Sequence, residues 1–308
     1  MNAMVFDVII IGAGLSGAFI AKELIRSGLK PLLIEKSKVV GGRLSTKPVG
    51  GGIADYGCQF LNPKTNELFN LIEELENQNI VKKTKINDSK NTYIAPYGMN
   101  KIPQYLSLGV NTILNQKVLS LKKNKSNWRV KTNSFEIISR AIILTMPIHQ
   151  VKQLIEPFEN ILEKLPNSKY QSFFTATLQN NKQISSDIVR SDINAPWICN
   201  NSLKGLLNDK NIFTINFSND FSKKLLVLNQ DQRHDVIKKQ LKHLGFNSYS
   251  NLSLHFWKYA FSKEQNNLSH FFDKDEMLGI CGDSFSIGQA DGAIVSASQT
   301  FADLIEYM

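Results

Sequence analysis

Three glycines, Gly12, Gly14 and Gly17, stand at the spacing GxGxxG, and an acid, Glu35, lies 23 residues beyond the first of them. That set suits one task, holding a nucleotide diphosphate and its ribose. A glycine at 12 permits a tight turn, one at 14 lets a diphosphate approach the backbone, and one at 17 lets a helix pack closely on a strand. Bare N–H groups at the start of such a helix, with its dipole, attract phosphates. A carboxylate at 35 can accept hydrogen bonds from ribose hydroxyls. The elements that must position these residues are present in order. FDVIII is a short β-branched run of the kind buried on both faces of a sheet. Ala18, Ala21, Leu24 and Ile25 then recur at helical spacing until Gly28, and KPLLIE makes a second strand ending at Glu35. Strand, turn, helix, strand and acid together predict a dinucleotide-binding unit, which the glycines alone would not.

The next stretch, VVGGRLSTKPVGGGIADYGCQF at 39–60, sets one cation, Arg43, and one anion, Asp55, on glycine-rich backbone. A guanidinium stays ionised and presents its donors as a fork, so Arg43 is suited to a pyrophosphate, with a surface-loop arginine as the plain alternative. At the far end, MLGICGDSFSIGQADGAIVSASQTFADLI runs from an apolar strand into Gly282-Asp283 and a loop. A helix is expected to open at Gly292, with Ala293, Ala297, Phe301 and Leu304 along one side. A capping role alone is the alternative reading of Asp283.

GGR placed after GxGxxG and an acid resembles the second signature of the FAD-binding amine oxidase superfamily. GD followed by a glycine-led helix resembles its C-terminal flavin motif. ADYGCQF at 54–60 and HFWKYAF at 255–261 are closer to renalase and its bacterial relatives than to monoamine or polyamine oxidases. The order of YIAPYGMNKIPQYL, ILNQKVLSLKKNKSNWRVKT and AIILTMPIHQVKQLI follows the renalase-like pattern too. The resemblance runs over nearly the whole chain and is specific only at these motifs. It implies a non-covalent FAD, with Arg43 near the pyrophosphate and Asp283 at the ribityl or phosphate region. The helix at Gly292, with Ala293 and Ile294, would face the flavin pyrimidine edge. Gln59 and Phe60 would lie at the flavin, and Val118 would clasp the adenine end through its backbone. Gly12, Gly14, Ser16, Gly17, Glu35, Lys36 and Gly42 complete the implied cofactor set. The family often has alanine where Cys58 stands, so covalent or redox chemistry at that thiol is an open alternative.

The fold class expected is α/β, a Rossmann-type FAD-binding domain interleaved with a smaller α+β substrate domain, in the amine oxidase/p-hydroxybenzoate hydroxylase-like topology. Residues 1–61, 98–154 and 275–308 are assigned to the first, and 62–97 and 155–274 to the second. Asn62-Pro63 is expected to cap a helix with Leu68, Leu71, Ile72 and Leu75 on one face. Segments near 117–122, 128–132 and 135–145 read as a three-stranded meander, with KKNKSN as a turn. NIFTINFS and NLSLHFW read as strands, and DQRHDVIKKQLKHL as a helix whose His234 and His243 are surface residues. Trp257 and Tyr259 alternate on a strand and so share one side. With Gln59 and His255 they are the pocket candidates, core packing being the alternative, and no catalytic residue is assigned. Aromatic walls suit a flat ring stacked against a flavin. His149 is a weaker candidate for the same pocket.

A second GxGxxG is missing, as are paired cysteines, so neither a separate NADPH domain nor a dithiol relay is expected. The donor must reach the flavin itself. Renalase-like enzymes take hydride from wrongly reduced 2- or 6-dihydro isomers of NAD(P)H and pass the electrons to O2, giving NAD(P)+ and hydrogen peroxide. The partners implied are therefore a small hydride donor, such as a nicotinamide dinucleotide, and O2. An amine- or amino-acid-type flavin oxidase or desaturase, and a non-catalytic flavin-binding protein, are the alternatives. The 308 residues carry a formal charge of +9, but the cations are scattered in short groups such as Lys122-Lys123 and Lys238-Lys239. That pattern reads as a solvated surface rather than a nucleic-acid face. Asp7 and three glycines interrupt the apolar N-terminal run, so neither a signal peptide nor a membrane span is expected. The three cysteines form no CxxC and no zinc spacing, which points to reduced thiols in a cytoplasm and no metal.

Overall fold

Along the strand Val5–Ile11 the side chains from Val8 to Ile11 alternate between two cores. Val8 and Ile10 pack with Ala21 and Leu24 of the helix Leu15–Arg26 and with Ala297 and Leu304 of the helix Gln289–Tyr307. Ile9 and Ile11 enter the opposite core with Trp128, Val130, Ile142 and Leu144. A strand covered on both faces belongs at the centre of a parallel sheet, and that is its place. The computed structural model describes residues 5–86, 89–124, 126–182, 189–206, 211–262 and 267–308. The larger sheet runs Phe271–Asp273, Leu278–Ile280, Glu136–Leu144, Val5–Ile11, Pro31–Ile34, Asn111–Ile113. All neighbours in it are parallel except the edge strand Phe271–Asp273. The start of Glu136–Leu144 also pairs antiparallel with Asn127–Thr132, and that strand with Val118–Asn124, which is the expected meander. The KKNKSN expected as its turn includes residue 125, which lies outside the described residues.

Two helix starts differ from the sequence reading. The helix Asn66–Asn77 buries Leu68, Leu71, Ile72 and Leu75 as expected, but its cap is Thr65, whose hydroxyl accepts from the Leu68 N–H at 3.4 Å, and not Asn62-Pro63. The chain stays extended through Thr65, so the first turn forms later than the proline suggests. The C-terminal helix begins at Gln289, behind Gly288, and not at Gly292. Gly288 has φ +76°, the left-handed conformation that ends the loop. Gly292 lies inside the helix and is needed for a different reason: a Cβ there would stand 2.4 Å from the Phe285 carbonyl oxygen.

A second, antiparallel sheet forms a roof. Its order is Val189–Arg190, Trp197–Asn200, Asn211–Asn216, Tyr170–Asn180, Tyr249–Ser262. Phe174, Ala176, Leu178, Phe213 and Ile215 on one face are buried with Leu225 of the helix Asn219–Leu226 and with Ile237 and Leu241 of Gln230–His243. The register sets Phe173 opposite Trp257, Thr175 opposite His255 and Thr177 opposite Ser253, so these share the other face. The two faces are chemically unlike, apolar toward the helices and aromatic-polar toward the rest of the molecule. Among the described residues, no helix is long and apolar enough to cross a membrane.

Candidate functional site

The turn after the first strand is built on Gly12 at φ +106°, and a Cβ on Gly17 would lie 1.9 Å from the Gly12 carbonyl oxygen. Helix and turn therefore touch backbone to backbone. Gly14 differs. Its φ of −84° suits any residue, and a Cβ there would meet nothing nearer than the Gly42 Cα at 3.9 Å. Neither conformation nor packing within the protein demands a glycine at 14. The helix Leu15–Arg26 behind it has no side-chain cap and no acid in its first turn, so its leading N–H groups stay available. Glu35, buried at the end of the second strand, accepts from the Ala13 N–H at 2.9 Å and the Ser37 N–H at 2.8 Å. An ionised carboxylate has about four acceptor positions, so two backbone bonds leave capacity for a diol.

The other implied cofactor residues lie around this turn to differing degrees. Ser16 donates to the Ala293 carbonyl at 3.0 Å, joining the starts of the first and last helices. Ile294 is fully buried beside them. Gly42 faces Gly14, where a Cβ would come within 2.9 Å of the Gly14 Cα. The chain leading to Val118 runs beside Glu35, since Gln116 N–H donates to the Glu35 carbonyl at 2.9 Å. Lys36 is exposed.

Arg43 and Asp283, expected on the cofactor from opposite ends of the chain, are bonded to each other. Two guanidinium nitrogens each donate to a different carboxylate oxygen at 2.6 Å. Tyr170 adds a bond to Asp283 at 3.1 Å and also bonds Ser284, and Arg43 donates weakly to the Tyr259 carbonyl at 3.4 Å. Burial works against the Arg43 charge, but the Asp283 carboxylate holds the guanidinium more firmly protonated than usual. Burial first, and then the Asp283 charge, push the Tyr170 phenol up to about 12.

Asp55 answers the question of the lone acid in the glycine stretch. It forms an ion pair with Lys204 at 2.5 Å, and neither side chain has any exposure. The same ammonium donates to the Gln59 carbonyl at 2.9 Å. The other Asp55 oxygen accepts from Thr46 Oγ1 at 2.5 Å and from the Met99 N–H at 2.8 Å, while the Asp55 carbonyl accepts from Thr214 Oγ1 at 2.8 Å. Roof and strap, residues 55–60, are thereby locked together. The Gln59 amide turns inward, donating to the Asp55 carbonyl and, at 3.2 Å, to that of Gly57. Phe60 packs on Trp197 of the roof with centroids 5.3 Å apart.

Trp257, Tyr259 and His255 share a face of the roof, as their alternation predicts. Trp257 Nε1 donates to the Tyr56 carbonyl at 3.0 Å, and the Tyr56 ring stacks on Trp257 at 5.4 Å and meets His255 edge-on at 5.1 Å. His149 stacks on Tyr259 at 5.5 Å and so belongs to the same wall, which its sequence position suggested only weakly. Tyr56, Tyr170, Lys47 and Lys204 were not singled out from the sequence. Only Tyr56, inside ADYGCQF, sits in a motif that could have marked it.

Cys58 donates to the Phe60 carbonyl at 3.0 Å, and burial pushes its thiol up to about 11. Burial raises Cys199 to about 11 and Cys281 to about 12. A protonated thiol is a poor nucleophile. All three cysteines, which are free, should resist a disulfide reagent near neutral pH and react once denaturant is added. Fast native labelling of Cys58, read by mass spectrometry of the peptide, would restore it as a reactive candidate.

Residues 10–75 match the family model of the NAD(P)-binding Rossmann-like domain. Putrescine oxidase of Kocuria rosea is 32% identical over 92 residues, 30% of this chain and 19% of that protein. A flavin-containing amine oxidase of Danio rerio is 34% identical over 91 residues, 29% of this chain and 17% of its own. The matched stretches thus span about a fifth of the length of these relatives. Among solved structures, an engineered putrescine oxidase variant superposes with TM-score 0.72 at 14% identity, over 99% of this chain and 100% of that one. Cyclohexylamine oxidase from Brevibacterium oxydans gives 0.71 at 12% identity, over 98% and 99%. The fold is therefore the mixed α/β fold of the flavin amine oxidases, with a Rossmann-like nucleotide-binding unit.

Proposed function

We propose that this chain is an FAD-dependent oxidoreductase of the flavin amine oxidase type, and that its hydride donor is a dihydronicotinamide isomer rather than an amine. The observation that carries the reading is the aromatic wall against which Tyr56 of the strap packs. His255, Trp257 and Tyr259 line it, Lys47 and Lys258 stand over the Tyr56 and Tyr259 rings at 4.8 and 5.3 Å, and the acids beside it, Asp55 and Asp283, are already ion-paired. The two ammonium groups favour an anionic donor over a protonated amine, and the flat rings suit a donor that can stack.

The residues present fit FAD. The spare room at Gly14, the uncapped helix start and the remaining acceptor capacity of Glu35 match a diphosphate and a ribose. Gly12, Gly14, Glu35 and Val118 would hold the adenosine half. The Arg43–Asp283 pair would stand toward the pyrophosphate and ribityl chain, and the strap at Gln59 toward the ring. When bound, the flavin supplies the acceptor for the hydride and returns its electrons to O2 as hydrogen peroxide. The protein orients the donor ring with Trp257 and Tyr259 and keeps water from it with the roof. No general base is needed for a donor already rich in electrons. Three free thiols, two of them buried, suit a reducing compartment such as the cytoplasm.

Anaerobic mixing of the yellow holoprotein with 2- and 6-dihydro-NAD(P) should bleach the flavin, whereas putrescine and simple amines should not. The second reading, an amine oxidase, is favoured by the likeness to putrescine oxidase. Bleaching by amines alone would put it first, and a flavin that no reductant bleaches would favour a non-catalytic role.

A further inference from the structure

At the outer end of the aromatic wall lies a cation, Lys47, to which the function above gives no part of the donor to bind. Lys47 is on the short strand Thr46–Val49, and its ammonium donates to Ser253 Oγ at 2.9 Å while resting 4.8 Å from the centroid of the Tyr56 ring. His255 is the next residue along the same roof face, 4.3 Å from Trp257 between ring centroids. Among the described residues no carboxylate forms an ion pair with Lys47. Burial shifts the Lys47 ammonium downward, and burial, followed by the Lys47 charge, lowers His255. A half-buried ammonium held by a hydroxyl and a ring, beside an imidazole whose protonation it opposes, is a positive site without an anionic partner.

We infer that Lys47, with Ser253 and His255, forms the seat for a phosphate group carried by the hydride donor, at the end of the wall that stacks the donor's ring. The inference rests on the functional reading above and extends it to the part of the donor that does not react. An anion there would supply the charge partner that Lys47 lacks, and a lysine ammonium binds phosphate as a point charge with several donors. Stacking and charge then act on two parts of one molecule: Trp257 and Tyr259 take the flat ring and Lys47 takes the tail. A diamine would bring a second cation to the same place, so the seat also selects against it.

The test compares three donors with the same reduced ring: a riboside without phosphate, a mononucleotide and a dinucleotide. Anaerobic bleaching of the holoprotein by each is set beside the binding of NAD+ and of pyrophosphate, followed by quenching of tryptophan fluorescence. Wild type should favour the phosphate-bearing donors, and K47Q should cut that preference about tenfold, the size of one charge-assisted contact. K47R, which keeps the charge, should retain most of it, which separates charge recognition from a packing defect. Bleaching of wild type by all three donors alike, with K47Q unchanged in their ratio, would overturn the seat and leave the proposed function standing. If no dihydronicotinamide bleaches wild type, the functional reading falls. The seat then stands on pyrophosphate binding that weakens in K47Q, and is overturned if that binding is the same in both.

Discussion

Replacing Lys204 by methionine should cost the fold about 3–5 kcal/mol. The ammonium and the Asp55 carboxylate both have zero side-chain exposure, so the mutation strands a charge with no water to solvate it. The acid would keep its bonds from Thr46 and the Met99 N–H, but these leave the charge itself uncompensated. The Gln59 carbonyl would lose its donor as well. Urea unfolding should show the loss as a lower midpoint, and FAD should dissociate sooner from the variant because the strap is no longer clamped from above. The double variant K204M/D55N removes both charges and should recover part of the stability, since a buried pair replaced whole is far less costly than one broken. A K204M midpoint within error of wild type would mean that the pair is solvated in solution.

Arg43→Ala comes second. It leaves Asp283, whose side chain is only 5% exposed, with Tyr170 and the Ser262 N–H as donors. The destabilisation should be about 2–3 kcal/mol, below the Lys204 case because 28% of the Arg43 side chain meets solvent. On the proposed cofactor placement, FAD retention should also weaken by about ten- to a hundredfold, as expected for one lost charge-assisted contact. Arg43→Lys keeps a cation but loses the two-point geometry, so it should fall between wild type and alanine. Release of fluorescent flavin on dilution measures the retention. Unchanged retention with lowered stability would confine Arg43 to a brace for Asp283.

The parts of this design visible in the sequence are those whose causes are local. The Gly12 turn and the helix behind it announce themselves because a positive φ and a 3.6-residue period need only neighbouring residues. The apolar face of Asn66–Asn77 was equally plain, although its cap was misplaced, since Pro63 and Thr65 both mark a helix start and only the extended backbone at Thr65 decides between them. The Asp55–Lys204 pair was invisible. Its partners are 149 positions apart, and nothing around Lys204 resembles a motif. The strand Tyr249–Ser262 hid its two faces as well, because aromatic rings occupy both, and only pairing with Tyr170–Asn180 tells Phe256 from Trp257.

The order in which the larger sheet is threaded has a bearing on how the molecule is made. Leu278–Ile280 lies beside Glu136–Leu144, while the whole roof intervenes between them in the chain. A nascent polypeptide emerging from the ribosome therefore carries an incomplete nucleotide-binding half, with the Ile142–Leu144 end of one strand flank bare, until the roof has been synthesised. Long-range pairing of this kind slows folding and exposes sticky edges meanwhile. A chain cut short before residue 278 would lack that flank for good, and should accumulate as aggregate rather than as a smaller working protein.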